Sequence, residues 1–257
     1  LIGAQAETLL DAGEHVGIGF AQHDVGRTSR GVFEALADRA AVDQHDGLIG
    51  RTYAVGVRGD VGDALRCPPC GAAQAAYLVL TSFLNPGDEV LIPNPMYNIY
   101  RIIGEICGAT VKEYKLKEEN GFQIDLKEME SLITDKTKMI VICSPSNPIG
   151  SVLTEENLRG LGELVKNKDL LICSDEIYER LTFDGETAPS PALIPSLRNK
   201  TIIINGFSKA FSMTGWRIGY VIAPLCYMEP LTLHSGFQIS GIATYNAEAA
   251  AAALNDD

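Results

Sequence analysis

The feature that most constrains the fold of this chain is a regular alternation of short apolar runs with helical segments, from Gly71 to about residue 254. Short runs rich in Ile, Val and Leu and bounded by turn residues are typical of strands buried on both faces. Helical segments between such strands indicate βαβ units, in which successive strands run parallel. The sequence therefore predicts an α/β fold, a three-layer α-β-α sandwich around a mostly parallel sheet.

Turn and capping residues set the limits of the predicted elements. The tetrapeptide 85–88, Asn-Pro-Gly-Asp, ends the first helix because proline cannot donate to the helical ladder. Thr154 followed by two glutamates is typical of a helix N-terminus. The predicted helices span 71–84, 96–107, 125–133, 154–168 and 247–254. The predicted strands span 90–92, 110–116, 138–143, 170–173, 201–204 and 218–223.

The first 66 residues lack this alternation. Gly17 and Gly19 could open a dinucleotide-binding turn, but the third glycine of that fingerprint is missing. We therefore predict an N-terminal segment over residues 1–66 and a large domain over residues 67–257 that carries the functional site. A chain of 257 residues is long enough for this organisation.

Charge restricts the partners of the chain. With 21 basic and 33 acidic residues the net charge is -12, which repels the phosphates of nucleic acids and anionic lipids. The uncharged stretch 67–87 is interrupted by Pro68, Pro69 and Pro86, well short of a membrane span. The chain opens on Leu1 without the features of a signal peptide. We predict a cytoplasmic protein without a nucleic-acid or membrane partner.

The cysteines do not indicate a metal site. Cys67 and Cys70 have the spacing of a zinc knuckle or a thioredoxin motif, but a metal site would need a second pair of ligands, and none is evident. Cys143 and Cys173 lie in apolar runs, where free thiols pack as small hydrophobic groups.

Residues that offer polar groups, from their side chains or from backbone N–H groups, lie at the ends of the predicted strands and at the start of the first helix. These are Gly71–Ala73, Asn147, Asp175 with Tyr178, and Lys209 with Arg217. Strand ends of one parallel sheet converge on one crevice, so residues far apart in sequence can meet there. A lysine there can hold an aldehyde as a Schiff base, and a carboxylate can keep a pyridine nitrogen protonated. A glycine-led turn and an arginine can bind a phosphate. Together these groups describe a site for pyridoxal 5'-phosphate.

Four short sequence motifs support the same interpretation. They are residues 94–100 (NPMYNIY), 144–150 (SPSNPIG), 174–178 (SDEIY) and 206–217 (GFSKAFSMTGWR). The motifs occur in the order and near the spacing of one enzyme family. In them, the chain from about residue 67 to 254 resembles the pyridoxal-phosphate-dependent class I/II aminotransferases, enzymes of fold type I.

The resemblance assigns roles to the catalytic residues. It implies that Lys209 forms the Schiff base and then moves the proton between the substrate Cα and the cofactor. It also implies that Asp175 pairs with the pyridinium nitrogen and makes the ring an electron sink. Asn147 and Tyr178 would hydrogen-bond the phenolate oxygen of the ring.

The remaining cofactor contacts follow from the same resemblance. Tyr97 would stack on the ring face. Ser208, Arg217 and the amides of Gly71, Ala72 and Ala73 would hold the phosphate. The family usually has a hydroxyl three residues before its lysine, whereas this chain has Gly206. One phosphate contact is therefore expected to be lost or taken over by Ser208.

The resemblance implies a transaminase that moves an amino group between an amino acid and a 2-oxo acid. It also implies a homodimer. The family continues into a C-terminal small domain that supplies an arginine for the substrate carboxylate. Since this sequence stops at Asp257, we expect that small domain to be missing from it.

Three alternatives stay open at the level of sequence. A pyridoxal-phosphate-dependent lyase or decarboxylase could use the same site, because the substrate clamp decides which bond breaks. A serine hydrolase is a remote alternative, with Ser208 in a nucleophile elbow and Glu229 and His234 following it. A non-catalytic fragment that only binds the cofactor or a partner chain is the third.

Overall fold

The structure is a computed structural model, and it describes residues 69–255 apart from 184, 186 and 240. Six strands form one sheet in the order β2-β1-β3-β4-β5-β6. They are β1 Glu89–Asn94, β2 Thr110–Lys115, β3 Thr137–Cys143, β4 Leu171–Asp175, β5 Thr201–Gly206 and β6 Gly219–Ile222. The first five strands are parallel, and β6 pairs antiparallel with β5. The prediction of a mostly parallel α/β sheet is confirmed.

Eight α-helices connect and cover the strands within the described part of the chain. They are α1 Ala72–Phe83, α2 Ile99–Ile106, α3 Leu126–Leu132, α4 Glu155–Val165, α5 Pro195–Arg198, α6 Phe207–Ala210, α7 Leu225–Gln238 and α8 Thr244–Asn255. Short 3-10 turns lie at Glu118–Asn120, Pro191–Leu193 and Thr214–Trp216. None of the described helices is long and apolar enough to span a bilayer.

Each face of the sheet has its own apolar core, since successive strand residues point to opposite faces. One core packs the sheet against α1, α2 and α7, and its strand residues include Val90, Ile92, Met139, Val141, Cys173 and Ile204. The other packs it against α3 and α4, and its strand residues include Leu91, Ile140, Ile142 and Ile172. This is the three-layer arrangement that the unbroken apolar runs predicted.

The strand register brings three chain segments to one edge of the sheet. Cys143 at the end of β3 pairs with Asp175 at the end of β4, and Asp175 pairs with Ile204 near the end of β5. The turn that follows β3, the segment that follows β4 and the short helix α6 that follows β5 therefore begin side by side. Five of the predicted site residues lie at these strand ends or in these segments: Asn147, Asp175, Tyr178, Ser208 and Lys209.

Two features of the fold differ from the sequence-based prediction. The predicted strand 201–204 is too short, since β5 extends to Gly206 and Lys209 lies in the short helix α6 that begins directly after it. The helix α7 was not predicted, because Pro230 lies in its interior and its apolar residues form no clear stripe. It forms nevertheless, since Met228 and Leu231 are buried in the first core.

Some predictions fall outside the described residues. These are the N-terminal segment 1–66, the glycines at 17 and 19, and Cys67 of the cysteine pair. The division of the chain at residue 66 stays a prediction. Within the described part of the chain, no group of three or more His, Cys, Asp or Glu side chains could hold a metal ion.

Candidate functional site

Asp175 ends β4 as a buried carboxyl, only 8% exposed. The hydroxyl of Tyr100, from the first turn of α2, donates to its Oδ2 over 2.6 Å. The backbone N–H of Ile177 donates to its Oδ1 over 3.2 Å. Burial raises the pKa of Asp175, and these two hydrogen bonds oppose that rise. The carboxyl thus has donors on both oxygens, which suits an ionised acceptor.

Lys209 follows a tight backbone contact between the antiparallel neighbours β5 and β6. A Cβ added to Gly206 would lie 2.7 Å from the carbonyl oxygen of Ile218 and 3.1 Å from the Cα of Gly219, so a side chain at residue 206 would clash. The side chain of Asn205 accepts the Gly206 N–H over 2.7 Å and fixes the last peptide of β5. The short helix α6 then places the Nζ of Lys209 5.6 Å from the ring centroid of Tyr178.

Tyr178 links the lysine to the turn that follows β3. The Nδ2 of Asn147 donates to the Tyr178 hydroxyl over 3.4 Å, so the residue that faces Lys209 with its ring contacts Asn147 with its oxygen. Both side chains border a cleft of about 390 Å³. The other residues lining it are Pro145, Ser146, Pro148, Gly150, Val152, Leu181, Thr182 and Phe183.

The start of α1 forms a cradle beneath an arginine. Gly71 has φ +86, and a Cβ added to it would lie 2.6 Å from Nη2 of Arg217. The guanidinium donates to the carbonyl oxygens of Thr214 and Cys70 over 3.0 and 3.3 Å. No side chain caps α1, so its first amide groups keep their capacity to donate to an anion. Free amides and a cation meet here, which is what a phosphate requires.

Gly219 of β6 completes this cradle from below. A Cβ at this position would lie 2.5 Å from the carbonyl carbon of Gly71 and 2.8 Å from the nitrogen of Ala72. Its own N–H donates to the carbonyl oxygen of Pro69 over 3.1 Å. The antiparallel strand therefore supports the first turn of α1 by direct backbone contact, which only a glycine permits.

The other predicted cofactor residues have fewer contacts that define a role. The backbone carbonyl of Ser208 accepts a hydrogen bond from the Thr214 hydroxyl over 3.0 Å, which ties α6 to the turn before Arg217. Ala73 is exposed at the start of α1. Tyr97 lies between β1 and α2 and is 54% exposed. The stacking role of Tyr97 stays a prediction.

Three residues with clear contacts at the site were not singled out by sequence. Tyr100 lies in the motif 94–100, but its contact with Asp175 joins residues 75 apart in sequence, which a local pattern does not reveal. Gly219 carried one usable signal, because a glycine inside a strand often marks a close backbone approach. Glu176 directly follows Asp175 and is 6% exposed, with hydrogen bonds from the hydroxyls of Ser174 and Ser190. Burial, more than the nearby charge of Glu179, raises the pKa of Glu176 to about 8.

The structure does not support the pairing of Ser208 with His234 that the hydrolase hypothesis requires. The Nδ1 of His234 is 2.9 Å from the hydroxyl of Ser82, and its Nε2 is 3.0 Å from the side-chain nitrogen of Gln238. Both ring nitrogens are thus engaged between α1 and α7. Neither is left to activate Ser208 as a nucleophile.

Comparison with known proteins points to one family. A family model described as aminotransferase class I and II matches residues 64–257. An aspartate aminotransferase of Bacillus subtilis strain 168 is 44% identical over 184 residues, which cover 70% of this chain and 47% of that protein. An arginine–pyruvate transaminase of Pseudomonas aeruginosa is 42% identical over 166 residues, 63% of this chain and 42% of that protein.

The fold gives the same relationship. The crystal structure of an aromatic aminotransferase from Pyrococcus horikoshii OT3 superposes with a TM-score of 0.77 at 32% identity, over 100% of this chain and 64% of that chain. A Thermus thermophilus aspartate aminotransferase bound to maleate gives 0.76 at 30% identity, over 88% of this chain and 55% of that chain. The chain spans about half the length of the curated relatives that it matches.

Proposed function

Because the chain belongs to the class I and II aminotransferase family, we propose that it binds pyridoxal 5'-phosphate and moves an amino group between an amino acid and a 2-oxo acid. The observation that carries this proposal is the approach of the Arg217 guanidinium to Gly71. The guanidinium lies beside the uncapped first turn of α1, and a cation next to free helical amides suits the phosphate of a cofactor.

The residues at the carboxyl edge of the sheet fit this cofactor. Gly71 and Arg217 suit its phosphate, and the buried carboxylate of Asp175 suits its protonated ring nitrogen. The amine of Lys209 stands by the ring of Tyr178, whose hydroxyl is paired with Asn147 and suits the phenolic oxygen of the cofactor. When bound, pyridoxal phosphate supplies an aldehyde for an amine and an aromatic ring that draws electrons from the reacting carbon.

The protein's own groups then have separate tasks. With the cofactor bound, Nζ of Lys209 would hold it, and the same amine would carry the proton between the substrate Cα and the cofactor. Asp175 keeps the ring nitrogen protonated. Tyr178 and Asn147 orient the ring through its phenolic oxygen.

The remaining contacts anchor the cofactor. The amides of Ala72 and Ala73 bind the phosphate together with Ser208 and Arg217, whereas the N–H of Gly71 donates to the carbonyl oxygen of Pro69 over 2.8 Å. Tyr97 covers one face of the ring. We propose that these contacts belong to one large domain over residues 67–257.

Assembly and location form part of the same proposal. Family membership supports a cytoplasmic homodimer that acts on free amino acids and 2-oxo acids. Light scattering coupled to gel filtration measures the mass directly. A mass of one chain at micromolar concentration and saturating cofactor would contradict the dimer.

The decisive experiment is chemical trapping of the cofactor. Borohydride reduction of the chain mixed with pyridoxal phosphate should attach the cofactor irreversibly to Lys209, as located by peptide mapping. Lys209→Ala should lose the label, and any turnover should fall about 10³-fold or more because the proton carrier is gone. Lys138→Ala is the matched control, since Lys138 forms a surface ion pair with Asp169.

The half-reaction separates transamination from lyase or decarboxylase chemistry. One equivalent of 2-oxo acid should appear when an amino acid is added to the cofactor-loaded chain, with the nitrogen retained on the cofactor. Label on a lysine other than Lys209, or release of carbon dioxide or ammonia instead, would reject the proposal.

A further inference from the structure

Tyr100 and Asp175 form a hydrogen bond between two buried side chains at the site. Tyr100 is 1% exposed, and its hydroxyl donates to Oδ2 of Asp175 over 2.6 Å. This distance falls in the range of hydrogen bonds from a hydroxyl to an ionised carboxylate, which are shorter and stronger than neutral ones. The bond also joins α2 to the carboxyl end of β4 across the first core.

The direction of this hydrogen bond does not change over the physiological pH range. Burial, reinforced by the negative charge of Asp175, raises the pKa of Tyr100 well above its ordinary value, so the hydroxyl stays protonated. Oδ2 of Asp175 therefore always receives a donor, and Oδ1 receives the N–H of Ile177. A protonated carboxyl would have to place its own hydrogen among these donors, whereas an ionised one accepts both.

We propose that Tyr100 is a positioning residue that holds the Asp175 carboxylate ionised and in one orientation at the edge of the sheet. The inference rests on the proposed function, because the ring nitrogen of pyridoxal phosphate is the group that such a carboxylate would serve. It extends that function to a residue outside the lysine, aspartate and phosphate contacts.

The other titratable groups around Asp175 do not substitute for Tyr100. The thiols of Cys143 on β3 and Cys173 on β4 have pKa values raised by burial, so both are neutral near pH 7. Glu176, the following residue, accepts hydrogen bonds from Ser174 and Ser190. None of these three groups carries a positive charge. The hydrogen bonds that oppose the burial of the Asp175 charge come from Tyr100 and the N–H of Ile177.

The chain offers a matched control for removing the hydroxyl. Tyr114 on β2 is also buried, at 2% exposed, and its hydroxyl donates over 2.8 Å to the backbone carbonyl of Val141. Tyr100→Phe and Tyr114→Phe each delete one buried hydroxyl and leave an acceptor without its partner. Only the first should change the proton affinity of Asp175.

The test is a carboxyl titration of the full chain without cofactor. Aspartate labelled with 13C at the side-chain carboxyl reports each pKa by NMR, and Asp175→Asn identifies the resonance. Tyr100→Phe should raise the pKa of Asp175 by about one unit, because a hydrogen bond to the ionised form is lost. Tyr114→Phe should leave it unchanged. Equal titration curves for Tyr100→Phe and the wild type, or equal shifts in both variants, would overturn the inference.

A second substitution keeps the test valid where Tyr100→Phe fails to fold. A fluorinated tyrosine incorporated at residue 100 is a stronger donor of nearly the same shape, so it should lower the pKa of Asp175. Loosened packing cannot produce that sign, and an unchanged or higher value would reject the role of Tyr100.

The two proposals fail separately. If borohydride labels Lys209 but Tyr100→Phe leaves the pKa of Asp175 unchanged, only this inference is rejected. If Tyr100→Phe shifts the pKa of Asp175 but Lys209 is never labelled, the proposed function is rejected and the role of the Tyr100 hydrogen bond is kept. With cofactor bound, Tyr100→Phe should also bind pyridoxal phosphate about tenfold more weakly, while Tyr114→Phe should bind it like the wild type.

Discussion

At the scale of single residues, the site contains glycines at which an added Cβ atom would clash with a neighbouring group. Gly71, Gly206 and Gly219 each meet a neighbouring group at less than 3 Å from where a Cβ would lie. Such crowding has a structural cause, since β6 lies in direct backbone contact with both the end of β5 and the start of α1. A substitution at one of these three glycines therefore tests the packing of the site, whereas a substitution at a glycine in an open turn tests only backbone conformation.

Gly71→Ala tests this point. The new methyl would lie 2.6 Å from Nη2 of Arg217, at a φ of +86 that a side chain rarely adopts. We expect a loss of about 1–2 kcal/mol in the free energy of unfolding from strain. We also expect the affinity for pyridoxal phosphate to fall at least tenfold, since the guanidinium must move.

Gly87→Ala is the control for Gly71→Ala. Gly87 has a similar φ of +92, but nothing lies within 4 Å of an added Cβ. Its backbone strain should be comparable, while cofactor titration followed by absorbance should give the wild-type affinity. Equal affinities in the two variants would mean that Arg217 does not bind the phosphate.

The buried carboxyl of Glu176 should make stability depend on pH. Its pKa of about 8 in the folded chain lies above the ordinary value of 4.5. A raised acid pKa contributes stability that is complete below about pH 4.5 and is lost progressively as the pH rises towards 8. Glu176→Gln keeps the oxygen that accepts from Ser174 and Ser190 and removes the charge.

Chemical denaturation between pH 5 and 9 measures this effect of Glu176. The variant should be more stable than the wild type at pH 9, by up to a few kcal/mol, and nearly equal at pH 5. Exposed Glu130→Gln should leave the profile unchanged. A constant difference between Glu176→Gln and the wild type across the range would contradict a buried, protonated Glu176.

At the scale of elements, helix α7 shows tertiary contacts overriding local preference. Pro230 removes one backbone donor from the helix interior, yet the helix packs Met228 and Leu231 into the first core. Burial of these two side chains stabilises by a few kcal/mol in total, comparable to the cost of the proline. The local pattern alone therefore gave no reason to predict a helix there.

Pro230→Ala should stabilise the chain by about 1 kcal/mol or more, because the new N–H can bond to the carbonyl four residues earlier. Pro224→Ala is the matched control, since Pro224 occupies the N-cap position of α7, where no helical hydrogen bond is gained. Thermal unfolding of both variants decides the matter. A loss of stability in Pro230→Ala would show that the helix is shaped around the proline.

At the scale of the whole molecule, the five parallel strands bring distant segments to one edge, and the two cores on either face of the sheet hold them there. The antiparallel β6 then supports the start of α1 through Gly219. A site assembled from residues between 71 and 217 thus depends on the sheet as a unit. This is why its parts lie at strand and helix ends rather than in one loop.

Most of the strands and helices, and the words that carry the site residues, were predictable from the sequence because both are local properties. Apolar runs of strand length and capped amphipathic helices are read over about ten residues. Lys209 and Asp175 stood out because each follows a predicted strand, and Arg217 stood out because it lies eight residues after Lys209. The predicted strand 201–204 was too short, since β5 extends to Gly206 and helix α6 begins directly after it.

The sequence by itself determined the α/β class, the limits of most elements and the family, because each is written in short-range patterns. Only the tertiary structure decided that Tyr100 bonds Asp175, that Glu176 is buried with two serines, and that His234 is turned to Ser82. The physical reason is that periodicity says which face of an element is buried but not which neighbour covers it. Strand order and register settle that choice, and they depend on the packing of the whole sheet.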